Sequence, residues 1–76
     1  ISYQKHTCRD EIWTFVNGEG DIVLNGERRL VKRGDVVNIP KGSLHALRAT
    51  TPLTFIEVQQ GSNLVEEDIE RFPYDW

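Results

Sequence analysis

Gly34-Asp35-Val36-Val37-Asn38-Ile39-Pro40-Lys41-Gly42-Ser43-Leu44-His45 is the stretch that decides the fold. Val36–Ile39 is a short β-branched run between two turn signals. Lys32-Arg33-Gly34-Asp35 precedes it. Pro40 stops it, because proline has no N–H to give to a ladder. The turn Pro40-Lys41-Gly42 then hands the chain on to His45. The same punctuation recurs outward in both directions, at His6–Asp10, Asn17-Gly18-Glu19-Gly20, Asn25-Gly26 and Thr51-Pro52. Short strands at this spacing predict an all-β sandwich or barrel.

Asn25-Gly26 lies between Asp21–Leu24 and Glu27–Val31. It predicts a hairpin, since a two-residue primed turn needs positive φ at both central positions. Ile12–Val16 and Leu53–Gln59 are the other clear strands. The tail changes period. Val65, Ile69 and Phe72 have helical spacing, with Asn63 as a candidate N-cap and Glu66 three residues on. A short helix or helical turn is expected over Asn63–Phe72.

At 76 residues the chain is one domain, residues 1–76, with room for one small core. A domain this small is expected to draw support from a metal or a partner. An internal disulfide is excluded, because Cys8 is the single cysteine. Nine Lys and Arg against twelve Asp and Glu leave a formal charge of -3. That balance argues against nucleic acid as a generic partner, which wants a basic face. No apolar run approaches the roughly 20 residues of a membrane-spanning helix. No signal peptide is seen, and a lone thiol suits a reducing compartment, so a cytoplasmic location is expected. The opening at Ile1, inside what reads as a strand, is expected of a piece of a longer polypeptide, N-terminally incomplete.

Two histidines carry the chemistry. Gln4 and His6 are two apart and share a strand face. Glu11 follows a four-residue turn and is expected beside them across an antiparallel pair. His45 arrives from the Pro40 turn. Two imidazoles, a carboxylate and an amide oxygen suit a metal with an open position for substrate. The same residues also allow a plain His6–Glu11 cross-strand pair worth about 0.2–1 kcal/mol, with His45 an unrelated loop residue. Trp13, Phe15, Phe55 and Trp76 read as core or interface aromatics.

The spacing resembles the cupin motifs. The first has Gly, His-x-His, three or four residues, Glu, six residues and Gly. Here Gln4-Lys5-His6, Glu11 and Gly18 fall on those positions, with Gln4 in place of the first His. The second has Gly, five residues, Pro-x-Gly, two residues, His, three residues and Asn. Gly34, Pro40, Gly42 and His45 match it, and Ala49 stands where Asn is usual. The resemblance implies a cupin-type jelly-roll β-barrel and a metal set of Gln4, His6, Glu11 and His45.

A narrower likeness covers nearly the whole chain. Ser2-Tyr3-Gln4-x-His6, Arg9-Asp10-Glu11-x-Trp13, Ile39-Pro40-x-Gly42-x-x-His45, Pro52-Leu53-x-x-Ile56-Glu57-Val58-Gln59-x-Gly61 and Glu67-Asp68-Ile69-x-Arg71 follow in order. This looks like the C-terminal cupin domain of type II mannose-6-phosphate isomerases, commonly fused behind a mannose-1-phosphate guanylyltransferase domain. The chain departs from that pattern at Ile12, where His is usual, and in its ending Phe72-Pro73-Tyr74-Asp75-Trp76.

The likeness implies a sugar-phosphate isomerase that interconverts mannose 6-phosphate and fructose 6-phosphate through an enediolate. It implies a divalent metal cofactor, zinc foremost, with manganese, cobalt, nickel or iron also compatible. Arg9 and Glu11 are then the expected catalytic residues, with Arg9 read as one residue off the ligand parity but in the same turn and able to reach the substrate. Lys41 and Arg48 are the expected contacts to the substrate phosphate. Lys5 points to the opposite strand face and ranks lower. A homodimer and a nucleotidyltransferase domain in the same polypeptide are the expected partners. The alternative is a non-catalytic cupin that binds metal or sugar and serves or regulates the attached transferase.

Overall fold

The computed structural model describes residues 1–62 and 64–76. Eight strands follow one another: β1 Tyr3–Lys5, β2 Arg9–Asn17, β3 Glu19–Leu24, β4 Glu27–Lys32, β5 Val36–Ile39, β6 His45–Ala49, β7 Thr54–Gly61 and β8 Glu70–Phe72. They form two antiparallel sheets. One has five strands in the order β4-β3-β6-β1-β8, the other three in the order β5-β2-β7. This is the all-β architecture that the turn spacing predicted. Among the described residues no helix is long and apolar enough to cross a membrane.

The core lies between the sheets. Trp13 and Phe15 of β2, Val37 and Ile39 of β5, and Ile22, Val31 and Leu47 of the larger sheet form one buried cluster. Alternation places these side chains inward, since successive residues on a strand point to opposite faces. The β3–β4 hairpin turns at Asn25 and Gly26, whose φ values of 49° and 84° are the left-handed pair its turn requires. Gly18 is the position with least freedom. Its φ is +86°, and a Cβ there would run into the Pro52 carbonyl.

Three expectations need correction. Among the described residues the tail is not helical. Glu66 and Glu67 make a turn, and Glu70–Phe72 pairs with β1 as Tyr3↔Phe72, Gln4↔Arg71 and Lys5↔Glu70. An isolated helix of this length is marginal, whereas β1 offers a free edge whose ladder satisfies the same backbone groups. The expected cap, Asn63, lies outside the described residues. Second, β1 does not pair with β2: it pairs with β6 and β8, and Glu11 reaches His6 from the facing sheet. Third, Arg9 opens β2 two residues before Glu11 and so shares its face; the parity assumed for it was wrong.

The chain end covers the outer face of the larger sheet. Tyr74 packs on Tyr3 with ring centroids 5.1 Å apart. Trp76 lies under the Arg48 guanidinium, 4.8 Å from it. Arg48 and Arg28 both donate to Asp21 Oδ2, at 2.7 and 3.2 Å. These two donors, Arg48 foremost, hold the Asp21 carboxyl below the usual carboxylate range. A lowered carboxyl pKa stabilises the fold above the unfolded-state value, and that stability is lost as the pH falls through the folded-state value. Asp21→Asn is therefore expected to lower the melting temperature at pH 7, with the gap to wild type closing on acidification. Thermal melts across pH 7 to 3 check this; a gap constant with pH contradicts it.

Candidate metal centre

His6 follows β1 and keeps the inward parity of Gln4. Its peptide carbonyl accepts the Gly42 N–H at 2.6 Å, which ties it to the Pro40 turn. Its Nδ1 stands 2.6 Å from the Asp68 carbonyl oxygen. A carbonyl only accepts, so Nδ1 carries the proton and Nε2 presents a lone pair. The Asp68 carboxylate holds the same turn, accepting the Thr7 N–H, the Thr7 hydroxyl and the Cys8 N–H, each at 2.8 Å. These donors, the Thr7 N–H foremost, hold the Asp68 carboxyl below its ordinary value.

His45 opens β6 and is 1% exposed. The Asn25 hairpin tip positions it by exchanging bonds with Leu44: Asn25 N–H donates to the Leu44 carbonyl at 2.7 Å, and Leu44 N–H to Asn25 Oδ1 at 2.9 Å. His45 Nδ1 donates to the Ser43 carbonyl at 3.1 Å. Its Nε2 is buried with no hydrogen-bond partner among the described residues. Burial pushes the His45 pKa below the ordinary imidazole value, so the ring is neutral at pH 7.

Glu11, 2% exposed, faces both rings from β2. Its Oε2 is 3.2 Å from His6 Nε2 and its Oε1 is 3.9 Å from His45 Nε2. The donor atoms of His6, Glu11 and His45 all lie within 4.8 Å of one another. Two ligands of a tetrahedral ion at about 2.1 Å stand roughly 3.4 Å apart. The orphaned Nε2 of His45, the lone pair of His6 and a buried carboxylate therefore fit a divalent cation, and each histidine already has the outer hydrogen bond that orients a ligating ring. Gln4 lies beside them, but its amide nitrogen faces His6 at 3.4 Å and its oxygen faces Ser2. Ligation by that oxygen requires the amide to turn over.

The remaining expected site residues divide. Arg9 is in the centre: its Nε donates to Glu11 Oε2 at 2.9 Å and its guanidinium to His6 Nε2 at 3.0 Å. Lys41 is exposed, and its backbone N–H donates to Asp10. Arg48 points away, to Asp21 and Trp76, because it is three residues from His45 and so on the other face of β6.

A cleft of about 430 Å³ opens over the centre, bordered by Gln4, His6, Arg9, Gln59, Glu66 and Arg71, among others. Arg71 enters it because it pairs with Gln4 in register. Reading the tail as a helix hid that. Glu57 was also missed as a site residue. Trp13 Nε1 donates both to Glu11 Oε1 and to Glu57 Oε1, each at 3.0 Å. Desolvation, with added repulsion from Glu11, pushes the Glu57 carboxyl up. Alternation in the predicted strand placed Glu57 on the face of Phe55, which was the available signal.

Residues 1–74 match the family model described as mannose-6-phosphate isomerase C-terminal. The chain belongs to that family. Among curated proteins it is 39% identical over 74 residues to mannose-1-phosphate guanylyltransferase ManC of Salmonella typhimurium, and 36% identical over 74 residues to mannose-1-phosphate guanylyltransferase of Escherichia coli. It is 40% identical over 74 residues to alginate biosynthesis protein AlgA of Pseudomonas fluorescens. Each match covers 95% of this chain and 15 or 16% of the relative, so the chain spans about 15% of the length of the curated relatives it matches. Among solved structures, a cupin protein from Bacteroides fragilis superposes with a TM-score of 0.74 at 23% identity, over 87% of this chain and 58% of that one. That likeness establishes the fold of this family member as a cupin.

If the centre holds metal, zinc at 100 times its dissociation constant adds about 2.7 kcal/mol to the unfolding free energy. His45→Ala is expected to remove that increment. Urea denaturation with and without zinc measures both, and an equal increment in the variant contradicts the centre.

Proposed function

We propose that this chain is a metal-dependent sugar-phosphate isomerase domain that interconverts mannose 6-phosphate and fructose 6-phosphate. What carries the reading is one arrangement: two imidazole lone pairs and a buried carboxylate converge beneath a cleft bordered by two guanidinium groups. Membership of the family adds weight to it.

His6, Glu11 and His45, with Gln4 after an amide turn, would hold the ion. A bound divalent ion would polarise the sugar carbonyl and take up negative charge as the enediolate develops. Arg9 and Arg71 suit the phosphate, since a guanidinium binds its oxygens in pairs. Arg9, nearest the centre, is also the group to steady the reacting end. The proton moving between neighbouring carbons needs a base. Glu57 is the carboxylate beside the centre that is not counted among its ligands. The expected homodimer has an apolar surface available on the outer face of the smaller sheet, where Val36, Ile56 and Val58 are exposed.

A second reading is favoured by the names of the relatives. Two of those compared are called guanylyltransferases, and this stretch matches a small part of each. The chain would then be a cupin module that serves a nucleotidyltransferase domain in the same polypeptide without catalysing isomerisation.

A coupled assay for fructose 6-phosphate formed from mannose 6-phosphate separates the two. It is run on the complete polypeptide, after chelation and with each divalent metal restored. Turnover that returns with metal and falls at least about 100-fold in His45→Ala is expected, since loss of even an outer partner of a ligand costs about 10–100-fold. Folded protein with no turnover in any metal contradicts the isomerase and leaves the binding module.

A further inference from the structure

We propose that Arg9 is a built-in counter-cation, holding Glu11 and His6 together when no metal is bound and displaced into the cleft when one arrives. Arg9 thereby weakens metal affinity and becomes free to meet an anion only once metal is in place. This rests on reading His6, Glu11 and His45 as a metal centre.

The hydrogen-bond geometry makes the two cations exclusive. Glu11 Oε2 and His6 Nε2 are 3.2 Å apart, and both are acceptors, because the His6 proton is on Nδ1 facing Asp68. Two lone pairs at that distance need a donor between them. Arg9 supplies one to each, at 2.9 and 3.0 Å. These are the lone pairs a metal ion would take. The Arg9 side chain is 12% exposed and Glu11 2%, so little water screens like charges there. An ion bound to Glu11 and His6 therefore excludes the guanidinium from its present place. The side chain has somewhere to go, because Arg9 already borders the cleft, together with the carboxylate of Glu66.

An alternative role predicts the opposite sign. If Arg9 only orients Glu11 as an outer partner of a ligand, its loss weakens metal binding about 10–100-fold. If it competes, its loss strengthens binding. Arg9→Met keeps most of the side-chain volume and removes the charge.

The test is a cobalt titration of the metal-free full chain, followed by the visible bands of bound Co2+ and by competition with a chelator. Wild type, Arg9→Met and His45→Ala are compared. Arg9→Met is expected to bind Co2+ about 5–150-fold more tightly, the usual range for coupled sites. It should also melt below wild type when metal-free and close to wild type when loaded. Unchanged or weaker binding in Arg9→Met overturns the proposal, while the centre itself still stands if His45→Ala abolishes the bands. Absence of Co2+ binding by wild type overturns both. Should Arg9→Met fail to fold, wild type alone decides. Adding Zn2+ is expected to shift the Arg9 Nε–H resonance and speed its exchange with water; an unmoved, protected resonance overturns the proposal.

Discussion

Two backbone carbonyls, of Asp68 and Ser43, each take the Nδ1 proton of a histidine, and the character of the centre depends on those two bonds. They fix which nitrogen of each ring is left bare. Both bare nitrogens then face Glu11. Much of the fold serves to place those carbonyls. The Asp68 carbonyl is held by the pairing of β8 with β1 and by the grip of its own carboxylate on Thr7 and Cys8. The Ser43 carbonyl is held between the Pro40 turn and the Asn25 hairpin tip. The segments that converge here come from both ends of the chain and from its middle.

Glu11 sets the complementary constraint. A carboxylate buried among aromatic side chains is costly unless charge and donors surround it. Trp13 gives one N–H, and Arg9 gives another together with its positive charge, while the two ring lone pairs face the carboxylate as further acceptors. The outcome is a compact cluster of acceptor atoms, with Arg9 as counter-cation, in the core of a small barrel. The other buried carboxylate, Asp21, is neutralised by Arg28 and Arg48 on the outside of the larger sheet. The chain thus separates two acidic sites by sheet face, and the inner one lies beside His6 and Arg9, which border the cleft.

Much of this was legible in residue order. Strand punctuation by Gly, Pro and Asn placed β2 to β5 and β7 closely, because those turns are set by local backbone chemistry. His6, Glu11 and His45 were named from their spacing, and the structure brings them together. What stayed hidden depends on pairing between distant segments. The β1–β8 ladder turns a segment of helical period into a strand, and with it moves Arg71 to the cleft. Glu11 was expected across a hairpin from His6, yet it comes from the facing sheet. Arg48 sits near His45 in sequence but on the opposite face, where Trp76 and Asp21 claim it. Glu57 needed the strand register that puts it opposite Trp13.

The most direct measurement is the protonation state of each histidine nitrogen, read from long-range proton–nitrogen correlations in the metal-free full chain at pH 7. Both rings are predicted to carry a proton on Nδ1 and to leave Nε2 bare. A proton on Nε2 of either ring would contradict the account, because that ring would then have no lone pair to offer a metal at the centre.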